Sequence, residues 1–192
     1  MRLAIIPARG GSVRIPGKNT KPFFGKPIIA YSIETAQKSG LFDMIVVSTD
    51  CSAIADVAKQ YGAQVFERPM DDGTRGTQEV AREVLLDPGY ANVRDPCVIY
   101  ATSPMLLPID LKASYSYMKS WGAFYAMSVN ANPLSDAGCF YWGSANSFRK
   151  GLALIGPWTI MYPLPAERCC DINTPEDWAR AEQLYQRMQE KQ

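Results

Sequence analysis

Leu3-Ala4-Ile5-Ile6-Pro7-Ala8-Arg9-Gly10-Gly11-Ser12-Val13-Arg14-Ile15-Pro16-Gly17-Lys18-Asn19 is the stretch that decides the fold. Its first four residues are an unbroken apolar run and read as a buried strand, and Pro7, the glycine pair and the cations behind it read as a loop. Residues 43–49 repeat the pattern around Ile45, Val46 and Val47, apolar at consecutive positions as a strand covered on both faces must be. Between the two, Pro27 opens a helix in which Ile28, Ile29, Ile33 and Ala36 recur at helical spacing until Ser39-Gly40 stops it. Asp50 or Ser52 is set to cap a second helix with Ile54, Ala55, Val57, Ala58 and Tyr61 on one face, ended by Gly62. Residues 63–66 read as a third strand, Thr77 as the cap of a helix carrying Val80, Ala81, Val84 and Leu85, and residues 96–100 as a fourth strand. Strands alternating with helices imply right-handed crossovers, hence a doubly wound α/β fold: a mostly parallel, Rossmann-like sheet in three layers, helices on both faces.

Further on, a helix over 111–120 leads to a strand over 123–129. Phe140-Tyr141-Trp142 reads as a strand with one face buried, Ser144 to Lys150 as a short helix, and residues 159–162 as a last strand. Residues 175–189 carry the clearest helical signal: Thr174 as N-cap, Pro175 at the first position, Glu176 and Asp177 against the dipole, and Trp178, Ala181, Leu184, Tyr185 and Met188 along one face.

The chain has 192 residues, enough for one domain with a real core. Hydrophobic residues make up 47% and charged residues 20%, with a net charge of +1, so disorder is excluded and no basic excess speaks for nucleic acid. Histidine is absent, which removes Ser-His-Asp and Cys-His mechanisms and His-ligated zinc. Cys51, Cys97, Cys139, Cys169 and Cys170 show no C-x-x-C spacing and read as reduced, mostly buried thiols. No apolar run is long enough for a signal peptide or a membrane span, so the expectation is a soluble, cytoplasmic protein.

Two places can carry chemistry. The loop after the first strand sits at the carboxyl edge of the sheet, where open α/β folds bind ligands. Gly10 and Gly11, with Ser12 beside them, would let backbone N–H groups approach phosphate oxygens, and Arg9, Arg14 and Lys18 would neutralise charge and stabilise a leaving pyrophosphate. The spacing matches neither the Walker loop nor the dinucleotide fingerprint, and a merely solvated basic loop stands as the other reading. The second place is Asp171-Ile172-Asn173, taken as the end of a strand. Oxygen ligands at i and i+2 on an extended segment point the same way and suit Mg²⁺ shared with substrate phosphates, while turn and capping roles are the alternative.

The segments 6–12 and 15–19, with Gly25-Lys26-Pro27-Ile28-Ile29-Ala30-Tyr31-Ser32-Ile33, Val47-Ser48-Thr49-Asp50, Arg68-Pro69, Tyr100-Ala101-Thr102-Ser103-Pro104, Asp136-Ala137-Gly138 and Asp171 to Trp178, resemble the acylneuraminate cytidylyltransferases over nearly the whole chain. The stretches at 100–104 and 136–143 are most similar to the pseudaminic acid branch. The resemblance implies transfer of CMP from CTP to a nonulosonic acid, with release of pyrophosphate and with magnesium. On it, Arg9 and Lys18 hold the phosphates, and Ala8, Asn19, Arg68, Thr77 and Tyr100 line the cytidine. Thr102, Ser103, Asp136 and Tyr141 fall on the acceptor side, and Asp171 and Asn173 hold the metal.

The chain departs from that pattern in four places. Val13 stands where the family places lysine, Asn173 where it shows aspartate, and Cys139 where the pseudaminic branch has glutamine. Near 130–136 a longer insertion is reduced to Leu134 and Ser135, which would weaken the homodimer that the resemblance implies. A catalytically degenerate CTP-binding protein and a cytidylyltransferase for another keto sugar acid are therefore the rival readings.

Overall fold

The computed structural model describes residues 1–70, 73–131 and 134–190. β1 (Arg2–Pro7) leads through the short strands β2 (Pro22–Phe23) and β3 (Lys26–Pro27) into α1 (Ile28–Ser39). There follow β4 (Met44–Thr49), α2 (Ser52–Gln60), β5 (Gln64–Glu67), α3 (Thr77–Leu86), β6 (Asp95–Ile99) and α4 (Pro108–Ser120). The chain continues with β7 (Tyr125–Ala131), β8 (Leu134–Gly143), α5 (Ala145–Arg149), β9 (Thr159–Leu164) and α6 (Pro175–Glu190).

The main sheet runs β5-β4-β1-β6-β8-β7-β9. Its pairs are parallel except at β8, which is antiparallel to β6 and β7. The doubly wound, mostly parallel sheet is the one the sequence pattern implies, and alternation along β1 shows why. Ala4 and Ile6 pack with Ile29, Ile33, Ile54 and Leu111 of α1, α2 and α4. Leu3 and Ile5 pack with Ala81, Val84 and Phe148 of α3 and α5 on the other face. α1 ends where expected, at Gly40 with φ 62°, a conformation that costs other L-residues roughly 1–2 kcal/mol.

α6 builds a third cluster at the end of the sheet. Trp178 and Tyr185 meet Phe23 edge-on at 5.5 and 5.4 Å, and Lys21 lies over the Trp178 ring at 4.4 Å. This docking fixes the segment before α6 beside the loop after β1. The expected cap is present: the Thr174 hydroxyl accepts from the Asp177 N–H at 3.2 Å, and the Asp177 carboxylate accepts from the N–H groups of Thr174 and Asn173 at 2.8 and 3.0 Å. These bonds hold the Asp177 carboxyl below its ordinary pKa, the Asn173 N–H contributing most.

Several expectations are corrected. The N-cap of α2 is Cys51, with no side-chain bond, because the Asp50 carboxylate turns away to the Gly10 N–H at 2.7 Å. Gly76 is the N-cap of α3, and Thr77 is already helical, its hydroxyl facing Tyr141. The strand containing Phe140-Tyr141-Trp142 is buried on both faces rather than one, since β8 lies inside the sheet with helices on either side. No strand spans Asp171 to Asn173; the Thr174–Asp177 capping bonds turn the chain there instead. The shortened segment near 130–136 includes Asn132 and Pro133, and the polar loop 67–76 includes Asp71 and Asp72, all of which lie outside the described residues. The β2–β3 hairpin went unread: its turn uses Phe24 at φ 43° and Gly25 at φ 89°.

Candidate functional site

β1 sits between β4 and β6, so the chain leaves its carboxyl end in one direction and returns on the other, opening a crevice at the switch point. A cavity of about 310 Å³ occupies it. Of the residues singled out in the sequence, Arg9, Ser12, Arg14, Lys18 and Asn19 line it from the loop after β1. Arg68 and Thr77 line it from the β5–α3 side, Tyr100 and Thr102 from beyond β6, and Asp171 and Asn173 from the turn before α6. Among the described residues, five cations thus face one carboxylate, that of Asp171. Four segments far apart in sequence supply this wall because all meet at the same edge of the sheet.

The loop is held in shape by the protein itself. Asn19, 7% exposed, donates through Nδ2 to the Arg9 carbonyl at 3.0 Å and receives the Ile29 N–H on its own carbonyl at 3.2 Å, tying both loop ends to α1. The Ala8 N–H bonds Ser48 of β4 at 2.9 Å. Gly10 plays a different part from the one read in the sequence: its N–H is committed to Asp50, and a Cβ there would lie 2.8 Å from Cys51 Cβ. Its missing side chain lets the loop lie against α2, not against an anion. Gly10→Ala is accordingly expected to push the loop off α2 and lower stability by about 1–3 kcal/mol, with weakened nucleotide binding, read by thermal melting and CTP titration. A melting curve equal to wild type would refute the packing argument.

Lys18 reaches across the cavity floor, its Nζ donating to the Ile172 carbonyl at 2.6 Å. Burial lowers its pKa; Arg14 and Arg9 push the same way, and Asp171 opposes them. Arg14 turns into the cavity, its Nη2 3.5 Å from Asn173 Oδ1, while Val13 is 89% exposed. The Asn173 Nδ2 donates to Asp171 Oδ2 at 2.5 Å, so the two side chains meet on one side. Among the described residues no three carboxylates, cysteines or histidines cluster as a metal site. One carboxylate and one amide oxygen nevertheless suit Mg²⁺, which keeps water and phosphate ligands and takes one or two protein oxygens.

On the opposite wall the Thr77 hydroxyl accepts from the Tyr141 hydroxyl at 2.9 Å and also engages Tyr100. Burial raises the pKa of both tyrosines, so they are neutral hydroxyls at physiological pH. Ala8, Gly10, Gly11, Ser103, Asp136 and Tyr141 do not line the cavity among the described residues. Tyr141 is in the core at 2% exposure, and the buried Ser103 hydroxyl donates to the Cys139 carbonyl at 3.4 Å. Within β8, Asp136 accepts the Gly138 N–H at 2.8 Å, and Gly138, φ 59°, lies against Asp171. Arg75, Val80 and Ala101 line the cavity without having been singled out. The buried cysteines are inert: burial pushes Cys169 up to about 11 despite Arg168.

A cation-rich crevice at the switch point of a doubly wound sheet defines a nucleotide-binding α/β protein. Within that class the chain belongs to the cytidylyltransferase family, whose sequence profile matches residues 3–137. It is 34% identical to a pseudaminic acid cytidylyltransferase of Campylobacter jejuni, over 95% of either chain. It is 32% identical to a CMP-N,N'-diacetyllegionaminic acid synthase of Legionella pneumophila, over 98% of this chain and 97% of that one. The first alignment spans 221 positions against the 192 residues of this chain, so that relative carries segments this chain lacks. A CMP:2-keto-3-deoxy-manno-octonic acid synthetase solved with CTP shares the fold, with a TM-score of 0.79 at 16% identity over 97% of this chain and 99% of that one. A cytidylyltransferase from Leptospira borgpetersenii gives 0.70 at 19% identity, over 92% and 83%. No described helix is long and apolar enough to cross a membrane.

Proposed function

We propose that the chain transfers CMP from CTP to the anomeric hydroxyl of a nonulosonic acid, pseudaminic acid in the first instance, and releases pyrophosphate. The observation that carries this reading is the cavity at the switch point, lined among the described residues by five cations and one carboxylate, in a chain 34% identical to a pseudaminic acid cytidylyltransferase. The acceptor hydroxyl oxygen bonds to the α-phosphorus, its proton passing to solvent, as the bond to the pyrophosphate oxygen breaks. The chain's part is to hold the two in line and to neutralise the charge that builds on the leaving group. Arg9 and Lys18 face that group, with Ser12 and Arg14 beside them. Ala8, Asn19, Arg68, Thr77 and Tyr100 shape the cytidine end, and Gly10 and Gly11 complete the loop. Thr102, Ser103, Asp136 and Tyr141 belong to the acceptor side, Ser103 and Tyr141 from behind the surface. Residues 1–192 act as one nucleotidyltransferase unit, its insertion near 130–136 shortened.

Asp171 and Asn173 would hold Mg²⁺, which when bound neutralises phosphate charge and orients the leaving group. The Asn173 amide supplies an oxygen but no charge, and its Nδ2 occupies one Asp171 oxygen. That contact is what favours the second reading, a CTP-binding protein with little turnover. Asn173→Asp is expected to tighten Mg²⁺ about tenfold. Without metal it would set two carboxylates side by side in place of a hydrogen bond, lowering the melting temperature until Mg²⁺ restores it. A variant whose melting ignores Mg²⁺ would count against the metal assignment.

A homodimer is part of the proposal. β9 is an edge strand, Met161 on it is 47% exposed, and Phe124, 49% exposed, bonds through its N–H to Trp158 at the foot of that strand. Sedimentation of the intact chain tests it. A cytoplasmic location goes with the reading, because CTP is an intracellular metabolite. The deciding experiment is pyrophosphate release from CTP and Mg²⁺ with pseudaminic, legionaminic, N-acetylneuraminic and ketodeoxyoctonic acids in turn. Release with pseudaminic acid alone supports the proposal, release with another acid reassigns the acceptor, and CTP binding without release establishes the second reading.

A further inference from the structure

Two cations in the cavity, Arg68 and Arg75, come from outside the loop after β1. Arg75 lines it from the turn before α3, and Val13 lines the same cavity with an exposed apolar side chain, offering nothing where Arg9, Arg14 and Lys18 offer charge. We infer that Arg75 is a phosphate-anchoring residue of this chain, a guanidinium brought from the α3 side to grip the terminal phosphates of the nucleoside triphosphate. The inference deepens the reading above and rests on it.

Three observations carry it. First, the guanidinium is positioned but not used up: Arg75 Nη1 bonds Glu83 Oε2 at 2.8 Å, a helical partner on α3, and a contact through one nitrogen leaves the other edge of the fork for a second oxyanion. Second, the segment that presents Arg75 is laid directly on the first cation of the loop after β1. Gly73, at φ 90°, sits so close to the Arg9 guanidinium that a Cβ there would lie 1.8 Å from Nη1 and 3.2 Å from Nη2. A side chain there would have to displace the end of Arg9, and the backbone angle itself favours glycine, so the segment carrying Arg75 lies against Arg9. Third, the cations crowded onto this wall face, among the described residues, one carboxylate, that of Asp171. A triphosphate tail supplies several negative charges to share among them, whereas the single carboxylate of a sugar acid does not.

The test is calorimetric titration of the intact chain, its R75A, R75K and V13K/R75A variants, with CTP, pyrophosphate and CMP, alongside the KM for the acceptor acid. Arg75 is exposed and so is Val13, so folding is not at stake and circular dichroism melting verifies it. R75A is expected to bind CTP and pyrophosphate about tenfold more weakly while CMP affinity stays unchanged. R75K falls between the two, because a lysine keeps the charge but not the fork. V13K in the R75A background is expected to recover most of the loss by placing a cation on the facing loop. CTP and pyrophosphate affinities of R75A equal to wild type would overturn the inference. So would a loss confined to the KM of the acceptor, which would assign Arg75 to the acceptor carboxylate. A wild-type chain that binds neither CTP nor pyrophosphate would overturn the nucleotide reading itself, and this inference with it.

Discussion

Lys18→Met is expected to slow pyrophosphate release by about 10²–10³-fold, the effect of removing one preorganised group that meets developing charge in the transition state. The geometry argues for an effect at the upper end. Lys18 is anchored by the Ile172 carbonyl at 2.6 Å, so its ammonium waits in place and is not recruited from solvent when the nucleotide arrives. Its burial lowers the pKa and marks the same point from the other side: the charge is held away from water, where its interaction with a phosphate is strongest. Methionine matches the length and the apolar stem, so the change removes charge and donor rather than volume. A structural cost accompanies it, since Ile172 is fully buried and its carbonyl loses a donor, worth about 1–3 kcal/mol. Lys18→Arg separates the two effects, because it keeps the charge and a donor while changing the reach. Single-turnover rates with saturating CTP are the measurement, and a Lys18→Met rate within threefold of wild type would refute the role.

How much of this was legible in the sequence depends on where the cause of each feature lies. β1 and β4 were readable because a strand buried on both faces has to be apolar at consecutive positions, and α6 because its cap, first-turn proline and apolar face are all local. The β2–β3 hairpin was not, since its turn carries Phe24-Gly25 rather than the Asn-Gly that announces such turns, and Phe24 accepts φ 43° with its ring on Tyr185 at 5.0 Å. The cap of α2 was misplaced because Asp50 had a better partner 40 residues away in Gly10, a tertiary fact. In the site the same division holds. Arg9, Arg14 and Lys18 are clustered in the chain and could be read together. Arg75 stands alone in a polar loop and acquires meaning only when Gly73 lies down on Arg9. Tyr141 lies in β8, enclosed by the sheet and α5, and it meets the cavity wall through Thr77 and Tyr100 rather than lining it.

Arg168→Met is expected to destabilise the chain by about 3–5 kcal/mol, the cost of leaving a buried charge without its partner. That corresponds to a fall of roughly 10 °C in melting temperature for a domain of this size. Arg168 meets Asp110 through both guanidinium nitrogens, Nη1 to Oδ2 and Nη2 to Oδ1, the latter at 3.0 Å, with side chains 15% and 4% exposed. Unlike a surface pair, this one cannot be replaced by water. Asp110 also accepts the Leu107 N–H at 3.0 Å, capping α4, so the carboxylate retains one partner in the variant and the loss falls toward the lower figure. Asp110→Asn lets Arg168, the more exposed partner, turn toward solvent, and the double variant should show a coupling energy of about 2 kcal/mol or more in a mutant cycle. A coupling near zero would show the contact to be incidental. The consequence for function follows from where the two residues stand. Asp110 begins the helix that follows the loop bearing Tyr100 and Thr102, a loop that α1 holds through the Ser32 hydroxyl on the Tyr100 carbonyl at 2.8 Å and the Thr35 hydroxyl on the Leu106 carbonyl at 3.1 Å. Arg168 ends the short helix that precedes Asp171 and Asn173. The ion pair therefore joins the wall of the cavity that carries Tyr100 and Thr102 to the wall that carries Asp171 and Asn173, two segments the sheet does not connect directly. Its removal should weaken CTP and Mg²⁺ binding together, at temperatures well below the melting transition, whereas a purely global destabilisation would leave both affinities intact until the chain unfolds.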